Sequence, residues 1–333
     1  MILNPAIIAL VLGSVLISGL MLYASYFGVQ IVRGWDMHSG SEVQLRLERR
    51  TYLISTILGY VMAFQLGSLF LYIQTADQLH HLFVGAMCAA GTLNLNAYGY
   101  PAFLLKILNF ILGGLWLILN YTDNQAYDYP LIKKKYILLL IIAPLILLET
   151  FIQGAFFLGL KGDIITSCCG SLFSTGRNSL GSDLASLPVT WAMAGFYGSL
   201  LLIFLSGAVF LVKGRWAGFF SLVSGLSFIV FSLSLISFIA LYFYELPTHH
   251  CPFCFLQGEY HYVGYLIYGS LLTGVVAGLG VGLISPFKDL RSLSAKIAII
   301  QRRLALVCLA AYFLFALLAI ERMVRTDFTL GLF

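Results

Sequence analysis

Charge is what this chain has least of. Only 10% of its 333 residues are Asp, Glu, Lys or Arg, against 60% hydrophobic, whereas a soluble domain carries about 25% charged residues. That shortage excludes a water-covered globule. The modest net charge of +5 is too thinly spread to track a phosphate backbone, so nucleic acid is not an expected partner. Other absences narrow the field further. There is no Gly-rich phosphate loop ending in Lys-Ser/Thr, no C-x-x-C-H for haem attachment, and no stretch long and polar enough for a separate soluble domain. Any ATP-driven work would need another subunit.

Long apolar runs are abundant. Several reach the ~20 residues that cross a bilayer as a helix. Alternating ten-residue barrel strands are missing, and lipid satisfies no backbone group, so the spans must be helices. The expected fold is an all-α polytopic integral membrane bundle of about eight transmembrane helices, near 6–30, 52–75, 101–121, 136–160, 189–212, 217–245, 264–284 and 304–320. The first run has no basic lead-in and is longer than a secretory signal core, so it reads as a retained span. Residues 31–51, with "EVQLRLERR", read as a short amphipathic or solvated helix. Organisation follows as spans 1–4 over 1–160, a Gly- and Ser-rich loop over 161–188, and spans 5–8 over 189–333.

Orientation comes from basic residues in short loops. Fourteen of the nineteen lysines and arginines fall on one side, including Arg49, Arg50, Lys133 to Lys135, Arg302 and Arg303. That side is expected to face the cytoplasm. Both termini would then lie outside a cytoplasmic (inner) membrane, with the lipid bilayer as the principal partner.

This topology sorts the reactive residues. Of six cysteines and six histidines, ten fall on the outer side; only Cys308, within a span, and His38 do not. Cys88 follows span 2, Cys168 and Cys169 ("SCCG") follow span 4, and Cys251 and Cys254 ("THHCPFC") follow span 6. The space outside a cytoplasmic membrane is generally oxidising, where disulfides persist. Structural disulfides alone fit this set poorly: the outer cysteines are odd in number, and adjacent Cys168 and Cys169 fall outside usual disulfide geometry.

Two chemistries remain open. In the first, C-P-F-C is a redox pair. Cys251 would be the attacking thiolate, activated by His249 or His250, and Cys254 the resolving thiol. Cys168 or Cys169 would be the exchange partner, Cys88 a further member, and Glu149 a proton acceptor. In the second, thiolate and imidazole hold a soft ion such as Cu(I) or Zn(II), with ligands drawn from Cys251, Cys254, His249, His250, His80, His81 and one of the remaining cysteines. No second C-x-x-C or H-x-x-x-H accompanies the first, which weakens zinc as the sole reading. An extracytoplasmic thiol protein or a metallochaperone is the matching partner. A third role, as a structural subunit of a larger membrane complex, needs neither chemistry.

Over its four residues, C-P-F-C resembles the active-site insert of thioredoxin- and glutaredoxin-like proteins, without the βαβ unit that surrounds it there. In function the outer cysteine pairs are similar to those of quinone-linked thiol oxidoreductases of the disulfide-bond-forming and vitamin-K-epoxide-reductase type. That resemblance implies a quinone as electron acceptor but transfers no residue, because the spacings differ.

Two further patterns bear on architecture. "HHLFVGAMC" and "HHCPFC" both run His-His then Cys, and both lead through an aromatic–Gly–Tyr stretch into the next span, as a parallel 4+4 repeat would. Gly274, Gly278 and Gly282 form a small-residue stripe suited to close helix packing. Finally, Glu149 lies roughly 14 Å inside span 4 at 1.5 Å per residue, with Gln65 at similar depth and Lys106 available as an ion-pair partner. An ionisable group at such depth is a functional candidate.

Overall fold

The computed structural model describes residues 3–36, 41–161, 166, 188–328 and 330. Among these there is no strand, and eight helices are long and apolar enough to cross a membrane. They are α1 (Pro5–Gly34), α2 (Glu42–Leu79), α4 (Gly99–Asp123), α5 (Ile132–Leu158), α6 (Val189–Lys213), α7 (Ala217–Tyr244), α8 (Val263–Ile284) and α9 (Ser294–Arg325), with a five-residue helix α3 (Ala89–Leu93) between α2 and α4. The chain is a multi-pass helical membrane protein.

Local chemistry sets the helix ends. Asn4 caps α1 by accepting from the Ala6 N–H at 2.9 Å, and Pro5 occupies the first turn, where its missing N–H costs nothing. Gly214 closes α6 in the left-handed conformation at φ 61°, with its N–H on the Phe210 carbonyl. One expectation changes here. Residues 42–51 are not a separate surface helix but the first turns of α2. Nothing in them breaks helix, so the charged turns extend the span beyond its apolar stretch.

The helices group into two compact units. The first comprises 1–75, 96–160 and 286–300. Its core is built by α1, α2, α4 and α5, with Met21, Leu58, Met62, Trp116, Tyr136, Leu139 and Ile142 fully buried among them. The Trp116 indole N–H donates to the Lys135 carbonyl at 3.1 Å, so even this large side chain is buried with its polar atom satisfied.

The second unit comprises 76–95, 161–285 and 301–333. Here α7 and α8 pack along the glycine stripe. A Cβ on Gly278 would stand 2.0 Å from the Ser224 hydroxyl, on Gly282 2.4 Å from that of Ser221, and on Gly274 2.7 Å from the Tyr312 ring. The stripe is a packing device. Cys308 belongs to the same contact, 3.5 Å from the Ser224 hydroxyl and fully buried. An aromatic group of Phe196, Phe231, Phe238 and Phe315 fills the centre. Near its end α7 loosens into a π-helical turn at Leu235–Ile239, and this turn matters to the site.

A candidate soft-metal centre in the second unit

The site begins with two loops. The first leaves α2 through a single turn at His80–Leu82 and reaches Cys88, whose extended backbone (φ −161°, ψ −177°) starts α3. The second leaves α7 at Glu245, carries "THHCPFC", and tightens into short turns at Cys254–Leu256 and Gly258–Tyr260 before α8. Cys88 and Cys251 Sγ atoms lie 3.5 Å apart. Together with that of Cys254 they form a group in which all three sulfurs are within 4.8 Å of one another. Cys88 and Cys251 are wholly buried and Cys254 is 6% exposed. Among the described residues none of the three is joined in a disulfide. Three such thiols are a ligand set that can bind a metal ion.

The surroundings hold this geometry. Tyr244 donates its hydroxyl to the Cys251 carbonyl at 2.7 Å, and Tyr268 donates to the carbonyl of Pro252. Two tyrosines, from the end of α7 and the start of α8, thus pin the C-x-x-C turn by its backbone. Behind the turn, Phe255 stacks on Tyr244 with ring centroids 4.9 Å apart. A Cβ on Gly264 would come within 2.9 Å of the Phe255 backbone carbon, so α8 can approach the loop this closely only through glycine.

Asp77 ties the two loops together. Its Oδ1 accepts from the Ala89 N–H at 3.1 Å, one residue past Cys88, and from Gln257 Nε2 at 3.2 Å. Gln257 also donates to the Met87 carbonyl at 2.8 Å. The carboxylate and the amide therefore bridge the Cys88 loop to the Cys254 loop. A third support is the contact of Thr166 with the first loop, donating its N–H to the Val84 carbonyl at 3.1 Å. Gly85, at φ 86°, leaves room for that strand of chain: a Cβ there would stand 2.0 Å from the Thr166 carbonyl oxygen.

The histidines divide. His249 Nε2 is 3.4 Å from Cys254 Sγ, and the imidazole packs edge-on to Tyr244 at 4.5 Å. Burial holds the His249 pKa below its usual value, opposed by Cys88 and reinforced by the neighbouring His250. His250 Nδ1 is 2.9 Å from the Ile236 carbonyl, inside the π-helical turn of α7; that turn frees a carbonyl that a regular helix would use. His80 pairs with the backbone carbonyl of Asp77, and its ring lies tilted against that of His81 with centroids 3.8 Å apart. Of the expected candidates, the structure brings together Cys88, Cys251 and Cys254 with His249 alongside, while His80, His81 and His250 have other neighbours. Cys168 and Cys169 lie outside the described residues.

Glu149 sits in the first unit in a different setting. Its Oε1 accepts from Lys106 Nζ at 2.7 Å, and its Oε2 from Gln65 Nε2 and Asn109 Nδ2, both at 2.6 Å. Lys106 donates also to the Ser68 hydroxyl at 3.2 Å and lies over the Tyr72 ring at 5.4 Å. The expected pairing with Lys106 is present, and the carboxylate is fully engaged.

Asp77, Gln257, Tyr244 and Tyr268 were not singled out by sequence. Only Asp77 carried a signal, as an acid three residues before the His-His pair at a span's end. No protein-family model, curated protein or solved structure matches this chain.

Proposed function

We propose that this protein binds a soft or borderline d¹⁰ ion, Cu(I) or Zn(II), through Cys88, Cys251 and Cys254, and serves in holding or passing that ion at the outer face of a cytoplasmic membrane. The observation that carries the reading is the convergence of three buried sulfurs within 4.8 Å. With metal–sulfur bonds of about 2.3 Å, three thiolates around one ion stand about 3.8–4.0 Å apart. The sulfurs therefore need move by no more than a fraction of an ångström to meet a common ion. Three thiolates complete a trigonal Cu(I) site. His249, whose Nε2 lies 3.4 Å from Cys254 Sγ, would supply the fourth position of a tetrahedral Zn(II) site by turning further toward the other two sulfurs, since nitrogen and sulfur ligands of one zinc stand about 3.5 Å apart. Binding releases the thiol protons.

Burial favours this reading over exchange with a protein thiol, because disulfide transfer requires access to the attacked sulfur. A second reading keeps support from one contact, the 3.5 Å between Cys88 and Cys251. In it these two thiols join as a disulfide, and the two electrons and two protons released reduce a membrane quinone.

Elemental analysis of full-length protein, purified without chelators or reductants, separates the two. The metal reading expects about one copper or zinc per chain and three thiols protected from alkylation until the metal is removed. Metal-free protein carrying a Cys88–Cys251 disulfide, and rebinding no Cu(I) or Zn(II) after reduction, would replace it with the relay.

A further inference from the structure

The groups around the three sulfurs are graded in their access to solvent. Residues 245–248 are exposed, and His249, which follows them, is partly buried. Cys254 is 6% exposed, and Cys88 and Cys251 are at 0%. Exposure therefore falls in steps from the loop surface through His249 and Cys254 to the other two cysteines.

His249 stands at the edge of the cluster. Its Nε2 is 3.4 Å from Cys254 Sγ, yet it does not lie within 4.8 Å of all three sulfurs. The ring packs edge-on to Tyr244 at 4.5 Å, and Tyr244 is itself fixed by its hydroxyl on the Cys251 carbonyl at 2.7 Å. Tyrosine and histidine thus hold the imidazole beside Cys254 and short of the centre. The neighbouring His250 is committed elsewhere, with Nδ1 2.9 Å from the Ile236 carbonyl.

Buried thiols set a kinetic problem. Ligands around an ion are exchanged bond by bond, and a sulfur without exposed surface cannot meet an ion still held by its donor. A ligand on the partly exposed side that also touches one sulfur removes this barrier. Imidazole suits Cu(I), but as a neutral donor it attracts a cation less than an anionic thiolate does. Three thiolates complete a trigonal Cu(I) site without it.

On the premise that the three cysteines bind Cu(I), we propose that His249 is the transfer ligand of this site, taking the ion from an outside donor and handing it to Cys254 without remaining bound to it. No electron moves in this exchange. The bond from ion to donor sulfur breaks as the bond to His249 Nε2 forms, and that bond breaks in turn as Cys254 Sγ binds. Departing donor thiolates take up protons given up by the cysteine thiols, and the balance goes to water. Release is the same path reversed, so His249 raises both rates by one factor and leaves the equilibrium alone.

The test uses full-length protein in detergent without oxygen. It is loaded from a Cu(I)–glutathione complex and unloaded to bathocuproine disulfonate, with both rates followed by stopped flow. Equilibrium affinity is measured separately by titration. His249→Leu is expected to slow loading and release alike by about tenfold or more, the scale of losing a partner of a metal ligand, at unchanged affinity. His249→Met, which restores a soft donor without an N–H, recovers most of both rates. His249→Gln, which restores only a hydrogen-bonding group beside Cys254, does not. Wild-type rates in His249→Leu, or recovery by Gln in place of Met, overturn the proposal. So does a fall in affinity with loading unchanged, which marks His249 as a ligand of the bound ion. Wild-type protein that binds no Cu(I) in the titration removes the premise itself, before any rate is compared.

Discussion

Lys106 and Glu149 in the first unit, and the three thiols in the second, are both buried reactive groups held by several helices and loops, but they are satisfied in opposite ways. The carboxylate accepts three hydrogen bonds at 2.6–2.7 Å and its lysine partner has a hydroxyl besides. Charge cancels charge, and both carboxylate oxygens have found strong donors. Thiols cannot do this for one another, since S–H is a weak donor and sulfur a weak acceptor. The difference teaches where ligand chemistry belongs. A self-complete ion pair fixes helix packing. Sulfurs gathered within 4.8 Å of one another are a set that could hold a soft ion, because thiolate is a strong ligand where thiol is a weak hydrogen-bonding group.

Breaking each region in turn should expose that contrast. The largest effect is expected from Cys251→Ser: loss of one of three thiolates lowers Cu(I) or Zn(II) affinity by about a thousandfold or more, on the scale of the 10–16 kcal/mol available to a full thiolate-rich site. Competition with a calibrated chelator reads this, and the unfolding midpoint of the metal-free protein should hardly move. Glu149→Leu should behave in reverse. It strands the Lys106 ammonium in the bundle and destabilises by about 3–5 kcal/mol, while metal affinity per folded molecule is unchanged. Joint Lys106→Met and Glu149→Leu replacement should recover most of the stability. Equal loss in the single and double variants would show that the pair does more than neutralise itself.

Finer changes sharpen the picture. Asp77→Ala removes the acceptor that ties Ala89 to Gln257, without touching a sulfur. It should reduce metal affinity by about 10–100-fold, as loss of an outer-shell partner does, with metal stoichiometry intact. Asp77→Asn, which keeps an acceptor oxygen, should recover part of it. Gly264→Ala presses a methyl into the Phe255 backbone and should cost about 1–3 kcal/mol of stability, with a smaller change in affinity as the C-x-x-C turn shifts.

Much of this frame was legible in sequence, for physical reasons. Hydropathy marks eight spans because lipid admits nothing but apolar helix at that length, and the observed ends differ mainly where charged turns prolong α2 and α9. Counting lysines and arginines put Cys88 and the Cys251–Cys254 pair in loops of one side, and the structure brings these three together. Glu149 could be placed by depth with Gln65 level with it, and Lys106 was available as its ion-pair partner, a pairing that is present. What sequence did not carry is the second layer. Asp77, Gln257, Tyr244 and Tyr268 act through hydrogen bonds to backbone groups of other segments, and such contacts leave no periodicity. Nor could spacing tell that His249 turns toward Cys254 while His250 turns into the π-helical turn of α7.

The central claim rests on one shared ion. X-ray absorption at the metal edge of full-length protein, loaded with one equivalent of Cu(I) or Zn(II), tests it most directly. An ion shared by the three cysteines gives a shell of three sulfurs at about 2.3 Å, with at most one nitrogen added for zinc, reduced to two sulfurs in Cys88→Ser. A shell of nitrogen and oxygen alone, or one unchanged in Cys88→Ser, would contradict it.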